Sequence, residues 1–298
     1  MPTSLPRPSR RLFLGGSTAL IVLPSCGQNE GSAARNPLIE LEETMGGRLG
    51  VAAKNLATGT VVSNRGDERF TFCSSFKWLL GALVLAKVDA GTESLATELT
   101  FGQDDILSHS PVLGPLVDQG VMTLRELCRA TITTSDNAAA NLLITHLGGP
   151  PGFTAQLRSF GDEVTRLDRY ELELNDSAPG DPRDTSSPHA MLATMERFLF
   201  GDALKLESRD LLRSWMIDAV TGYQRLRAGM PDGWVVGDKT GTNLTNMNNN
   251  LAFAIPPEDA TPDAGPILIV SYLDAPNPFS AERNETHAEI ARTVIAEL

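Results

Sequence analysis

Residues 233–242 read Gly233-Trp234-Val235-Val236-Gly237-Asp238-Lys239-Thr240-Gly241-Thr242. Gly233 to Lys239 is strand-like, and the polar Lys-Thr-Gly-Thr run closes it. Two more strand-like runs follow, Leu251 to Ile255 and Ile267 to Leu273, and then a helix from Ala281 to Leu298. Near the other end of the chain, Pro37 to Met45 reads as a short helix. Arg48 to Leu56 and Val61 to Arg65 alternate like strands and are joined by the Ala57-Thr58-Gly59 turn. The middle is helical. Ser74 to Ala90 is apolar at helical spacing and ends at Gly91; a Thr123/Glu126 capping box opens Leu124 to Ile132. Asp136 to Leu147 is stopped by Gly148-Gly149-Pro150, and helices resume over Ser187 to Phe200 and Ser208 to Ala219. Strands, then helices, then strands imply one sheet made from both chain ends with a helical insertion, an α/β (α+β) fold. Residues 161–188 are rich in Gly, Pro and Asp with little periodicity, and a loop that long in a compact domain is usually functional.

With 298 residues, 41% hydrophobic and 21% charged, the chain is neither disordered, nor a coiled coil, nor a polytopic membrane protein. Lys+Arg total 25 against 37 Asp+Glu, a net charge of −12 that repels phosphate, so no nucleic acid is expected as partner. Three cysteines are too few for a disulfide scaffold.

Residues 1–25 hold Arg7, Arg10 and Arg11 and no acid. The apolar run Leu12 to Leu23 is shorter than the roughly 20 residues a bilayer span needs and fits a signal-peptide core. Ser9 to Leu14 resembles a twin-arginine export signal, and Leu23-Pro24-Ser25-Cys26 resembles a bacterial lipobox in which Cys26 is lipidated. Residues 26–37 would then be a tether to a membrane surface. Plain cleavage after Ala33 or Ala34 is the alternative. Removing residues 1–25 takes three positive charges from a net of −12 and leaves −15. Either way the protein is expected outside the cytoplasm, in the periplasm or anchored to the membrane.

No metal-ligand spacing is present, neither Cys-x-x-Cys nor His-Glu-x-x-His, and the histidines are scattered, so no metal or cofactor is implied. What the chain carries is an ordered set of polar motifs. Ser74-Ser75-Phe76-Lys77 puts a hydroxyl and an amine three apart on one helix face, at a helix N-terminus that favours a developing alkoxide. Ser135-Asp136-Asn137 precedes another helix, and Lys239-Thr240-Gly241 ends a strand. Singly these read as surface decoration, an N-cap cluster and a strand-to-turn transition.

Together, in this order, they resemble the active-site serine β-lactamases, and within them class A. The resemblance runs from about Ile39 to the C-terminus. The discriminating motif is Arg169-Tyr170-Glu171-Leu172-Glu173-Leu174-Asn175, similar to the class A Ω-loop Arg-x-Glu-Pro-Glu-Leu-Asn, with Asp184 matching the acid that pairs with its arginine. The resemblance implies a five-stranded antiparallel sheet flanked by helices. Its α/β lobe would take residues 38–68 and 215–298, and an all-α lobe residues 69–214, with the Ω-loop at about 166–184. It implies a small β-lactam substrate, a monomer and no cofactor.

Roles follow from the resemblance. Ser74 would attack the lactam carbonyl, with the backbone N–H groups of Ser74 and Thr242 as oxyanion hole. Lys77 and Glu171 compete as the acylating base. Ser135 would pass a proton to the leaving nitrogen, and Asn137 would bind the side-chain amide of the substrate and order Lys77. Lys239, Thr240, Gly241 and Thr242 would hold the substrate carboxylate, with Arg225 adding positive charge. His109 matches a gatekeeper at the cleft mouth. Glu171 and Asn175 would hold the hydrolytic water, and Arg169 with Asp184 would clamp the loop ends.

Two departures stand out. Leu172 replaces the proline whose peptide bond with the catalytic glutamate is typically cis in the family. Cys73 and Cys128 each match one half of a different class A disulfide, whose partner positions here are Asn243 and Gly81, so two buried thiols and no disulfide are expected. The rival readings are a D,D-peptidase and a β-lactam sensor that acylates without turnover, both of which lack a working deacylating base.

Overall fold

Asn36 starts the first helix, α1 (Pro37–Met45): its side-chain oxygen accepts from the Leu38 N–H, and Pro37 sits in the first turn, where no N–H is needed. The structure, a computed structural model, describes residues 36–261, 263–277 and 279–298. The expected export leader and Cys26 lie outside the described residues.

Strands β1 (Arg48–Asn55) and β2 (Val61–Asn64) pair antiparallel. After β3 (Phe70–Thr71), a 3₁₀ turn over Cys73–Phe76 feeds α2 (Lys77–Asp89). Ser74 thus sits in the turn before α2 rather than inside the expected helix from Ser74. A ribbon of β4 (Glu98–Thr100) and β5 (Val121–Thr123) precedes α3 (Leu124–Thr133), which opens on the expected capping box between Thr123 and Glu126. Asp136 caps α4 (Asn137–His146), accepting from the Ala139 N–H at 2.9 Å.

The Gly148-Gly149-Pro150 run ends α4 as expected, but it also starts α5 (Gly149–Ser159), a helix the periodicity does not reveal. Pro150 falls in its first turn, so the residue that stops one helix begins the next. Beyond the long loop, β6 (Thr185–Ser186) pairs with β3 and leads to α6 (Pro188–Leu199) and α7 (Leu206–Ile217). The segment expected to be all helical therefore also carries two small two-stranded ribbons, whose strands are too short to leave a period in the sequence.

The chain closes with β7 (Val235–Thr242), β8 (Met247–Ile255), β9 (Ile267–Asp274) and α8 (Ala281–Glu297). The main sheet has the order β2-β1-β9-β8-β7 and is antiparallel throughout, built from both chain ends as its strand order implies. One face packs Leu49, Val51 and Ile269 against α1 and α8 through Leu38, Ile290 and Val294. The other face sends Ala52, Leu251 and Phe253 into a larger core shared with α2 and the helices around it. Leu79 to Leu85 of α2 are buried on every side, so α2 is the axis of that core rather than a surface helix.

Strand β8 begins four residues before the apolar run that marks it. Asn248-Asn249-Asn250 looks like a turn in sequence, yet all three are buried within the strand. Asn249 Nδ2 donates to the Thr71 and Phe72 carbonyls at 2.9 and 3.0 Å, and Asn250 Nδ2 to Asp238 Oδ2 at 2.9 Å. These donations offset part of the cost of burying the two amides, while Asn249 Oδ1 is buried with no partner among the described residues. Cys73 and Cys128 are both buried free thiols, as the sequence implies.

Candidate active site

The turn at Cys73, held at φ 48°, swings Ser74 out of β3 to the end of α2. Ser74 Oγ donates to Glu171 Oε1 at 3.1 Å, and Lys77 Nζ approaches the same oxygen at 2.9 Å. The three-residue spacing thus aims both groups at one carboxylate from the Ω-loop. Lys77 also donates to the Ser135 carbonyl at 2.9 Å and to Asn137 Oδ1. The Lys77 and Glu171 side chains are 0% exposed, so this is a fully buried ion pair. Burial pulls the Lys77 ammonium below the usual lysine range, while the charges of Glu171 and Asp136 oppose it.

On the other wall, Lys239 Nζ donates to Ser135 Oγ at 3.0 Å and to the Thr240 carbonyl at 2.9 Å. Burial, then the neighbouring Lys77, push Lys239 well below its ordinary range. Gly241 lies flat against the nucleophile turn: a Cβ there would stand 2.5 Å from Ser75 N, 2.6 Å from the Phe72 carbonyl oxygen and 3.0 Å from Ser74 N. No side chain fits, and the close approach brings the backbone of Ser74 beside that of β7. Because β7 is the sheet edge, its outer backbone groups face the cleft rather than another strand.

The long loop is tied at its base. Arg169 Nε meets Asp184 Oδ2 at 2.6 Å, and Asp184 Oδ1 accepts the Asp168 and Arg169 N–H groups at 2.7 and 3.0 Å. This is the expected clamp. The Glu171–Leu172 peptide bond is cis, although residue 172 is leucine. Asn141 holds Glu171 from behind: its Oδ1 accepts the Glu171 N–H and its Nδ2 donates to the Glu171 carbonyl, each at 2.9 Å. The other carboxylate oxygen, Oε2, accepts from Asn175 Nδ2 at 2.6 Å. Asn175 Oδ1 is buried and has no hydrogen-bond partner among the described residues.

Arg225 reaches the same cleft from the segment before β7. Its guanidinium donates to Thr242 Oγ1 at 2.8 Å, the Asn249 carbonyl at 2.7 Å and Asn284 Oδ1 at 3.1 Å. Burial lowers it to about 10. Thr240 Oγ1 pairs with Thr221 Oγ1 at 2.7 Å. Beneath, Asp238 is fully buried with Arg227 and Asn250 as partners, and it fills the space beside Gly222 where any Cβ would collide. His109 stands at the mouth at φ 59°, its Nε2 donating to the Thr134 carbonyl at 2.9 Å. The cleft so enclosed has a volume of about 880 Å³, and Ser74, Ser135, Asn137, Asn175, Arg225 and Thr242 line it.

The residues marked as catalytic or substrate-binding converge here, and Arg169 and Asp184 stand at the base of the loop. Asn141 does not stand out in sequence, although it lies four residues after Asn137 and so on the same face of α4. That spacing is the one signal that could have found it.

The family model described as "Beta-lactamase enzyme family" matches residues 33–298. The chain belongs to the β-lactamase enzyme family. Among its relatives, β-lactamase L2 of Stenotrophomonas maltophilia is 44% identical over 85% of this chain and 82% of the relative. β-Lactamase FAR-1 of Nocardia farcinica is 39% identical over 97% and 96%. The carbapenem-hydrolysing β-lactamase KPC of Klebsiella oxytoca is 41% identical over 88% and 86%. A solved ancestral class A β-lactamase superposes with a TM-score of 0.83 at 51% identity, covering 88% of this chain and 98% of that one. In this β-lactamase a buried carboxylate touches Ser74, and Lys239 holds Ser135 on the opposite wall.

Proposed function

We infer that the chain is a class A β-lactamase that opens the lactam amide of penicillin- and cephalosporin-type antibiotics and so confers resistance to them. The observation that carries this reading is the triple engagement of Glu171: with the nucleophile Ser74, with Lys77 and with Asn175. The Ser74 hydroxyl attacks the lactam carbonyl and gives its proton to the Glu171–Lys77 pair. The C–N bond breaks as the nitrogen takes a proton from Ser135, whose hydroxyl Lys239 holds, and the proton removed from Ser74 replaces it on Ser135, which leaves Glu171 unprotonated for the next step. The oxygen charge of the tetrahedral intermediate is met by the Ser74 and Thr242 N–H groups. Lys239, Thr240, Thr242 and Arg225 form a wall of hydrogen-bond donors that suits the drug's carboxylate, even though the whole chain is acidic.

The ester then has to be hydrolysed. The unpartnered Asn175 Oδ1 and Glu171 Oε2 offer two acceptors for one water. Glu171 takes its proton, the hydroxide adds to the ester carbonyl, and the C–O bond to Ser74 breaks as the serine regains a proton. The chain's kinship with β-lactamases favours this over a D,D-peptidase or a sensor. Mixing the purified domain with a chromogenic cephalosporin should give sustained turnover. A single stoichiometric burst would overturn the reading in favour of a sensor.

We also propose that the protein is exported and either free in the periplasm or anchored by lipid at Cys26, supported by the twin-arginine-like and lipobox-like leader, and that it is a monomer, supported by the family resemblance. In the intact mass of the exported protein, a lipid adduct on a chain starting at Cys26 would establish the anchor. An unmodified chain starting after Ala33 or Ala34 would refute the anchor.

A further inference from the structure

The turn between β7 and β8 is organised by Asn243, a nearly buried amide that is outside the catalytic set. Its Oδ1 accepts three successive backbone N–H groups, Thr245, Asn246 and Met247, at 3.1, 2.9 and 2.8 Å. Its Nδ2 points the other way, into the Ω-loop, and donates to the Asn175 carbonyl at 3.0 Å and Ser177 Oγ at 3.2 Å. Ser177 Oγ in turn donates to Asn246 Oδ1 at 2.8 Å, and Asn246 Nδ2 donates to Asp274 Oδ1. Asp274 ends β9 and pairs with Arg48 of β1 at 3.1 Å. A continuous polar chain thus runs from the centre of the sheet, through Asn246 and Asn243, to the backbone of Asn175.

We infer that Asn243 is a positioning residue for the second half of the reaction, which rests on the acyl-enzyme reading above. Within the Ω-loop Asn175 is tied by its side chain to Glu171 Oε2 and the Leu172 carbonyl and by its N–H to that same carbonyl, while its own carbonyl is tied to the β7–β8 turn by Asn243. Releasing that carbonyl cuts the tie to the sheet and lets Asn175 shift with its loop segment, and with it the orphan Oδ1 proposed above to hold the water. Glu171 stays in place, because Asn141 fixes its backbone on both sides and Lys77 its carboxylate. Ser74 is placed by the turn before α2 and Lys239 by β7. Acylation therefore keeps its groups while deacylation loses the alignment of its water.

Asn243→Asp separates the two functions of the amide. A carboxylate still accepts the three turn N–H groups, but it donates nothing to Asn175 and repels that carbonyl. In rapid mixing with a chromogenic cephalosporin, the burst rate should stay within about twofold of wild type. Steady-state kcat should fall roughly ten- to a hundredfold, the scale of a small misplacement of a reacting group. The acyl-enzyme should accumulate as a mass increase equal to the drug, and burst amplitude counts the folded sites. Asn243→Gln, which keeps a donor on a longer arm, should recover part of the lost kcat. Equal loss in burst rate and kcat, or no loss in either, would overturn the inference. If wild type itself shows only a burst, it is the hydrolase reading that fails.

Discussion

Replacing Glu171 with alanine should turn a catalyst into a trap: one equivalent of drug reacts, and the protein gains the mass of the intact antibiotic. Glu171 Oε1 meets Ser74 and Lys77, while Oε2 meets Asn175, so one side chain serves both half-reactions. Acylation has a second base in Lys77. Burial already draws that amine below its usual range, and losing Glu171 removes the charge that opposes this. The hydrolytic step has no such substitute among the groups touching Asn175. Loss of a general base costs roughly 10²- to 10⁴-fold, so turnover should fall by that factor. Removing one member of a buried ion pair also destabilises a fold by about 3–5 kcal/mol. Glu171→Gln, which keeps the volume and one acceptor, guards against a folding artefact and should trap the same adduct. Unchanged turnover with no adduct in either variant would refute the role given to Glu171.

Ser74→Ala should abolish both adduct and turnover, with a loss on the order of a millionfold, the scale seen when a serine hydrolase loses its nucleophile. The fold should survive, because the Ser74 hydroxyl donates to Glu171 alone among the described residues, whereas the turn is set by Cys73 and packed by Gly241. A change in melting equivalent to about 1 kcal/mol, the net value of one hydrogen bond, is the most expected. Covalent labelling of this variant by a penicillin would place the nucleophile elsewhere.

Much of this site was legible because its motifs are local. A serine and a lysine three apart converge wherever the backbone turns helically, and Thr123 with Glu126 announces α3 within four residues. Arg169 and Asp184 were readable as a pair because both match the class A Ω-loop pattern, and they do pair in the fold. Less legible were groups whose partners lie far away in sequence. Asn249 satisfies carbonyls at Thr71 and Phe72, and Asn243 satisfies one at Asn175. In sequence, such asparagines predict turns and exposure. In the fold, a matched partner offsets part of the desolvation cost that would keep them out. Helix α5 was hidden differently, since the proline that ends α4 is equally suited to start a helix.

The sequence by itself determined the α/β class, the sheet drawn from both chain ends, the acylation chemistry and the loop that carries its base. The class and the sheet follow from periodicity and order along the chain, and the chemistry and the loop from the resemblance of the motifs to those of class A β-lactamases. Only the tertiary structure decided how deeply the cations of the cleft are buried, Lys77 and Lys239 fully and Arg225 nearly so. It alone decided that Asn141 grips Glu171 and that Asn243 joins the sheet to the Ω-loop. The physical reason is that burial and hydrogen-bond pairing belong to neighbours in space. A side chain's own chemistry states what it can bind, and the fold supplies the partner and excludes the water that would compete for it.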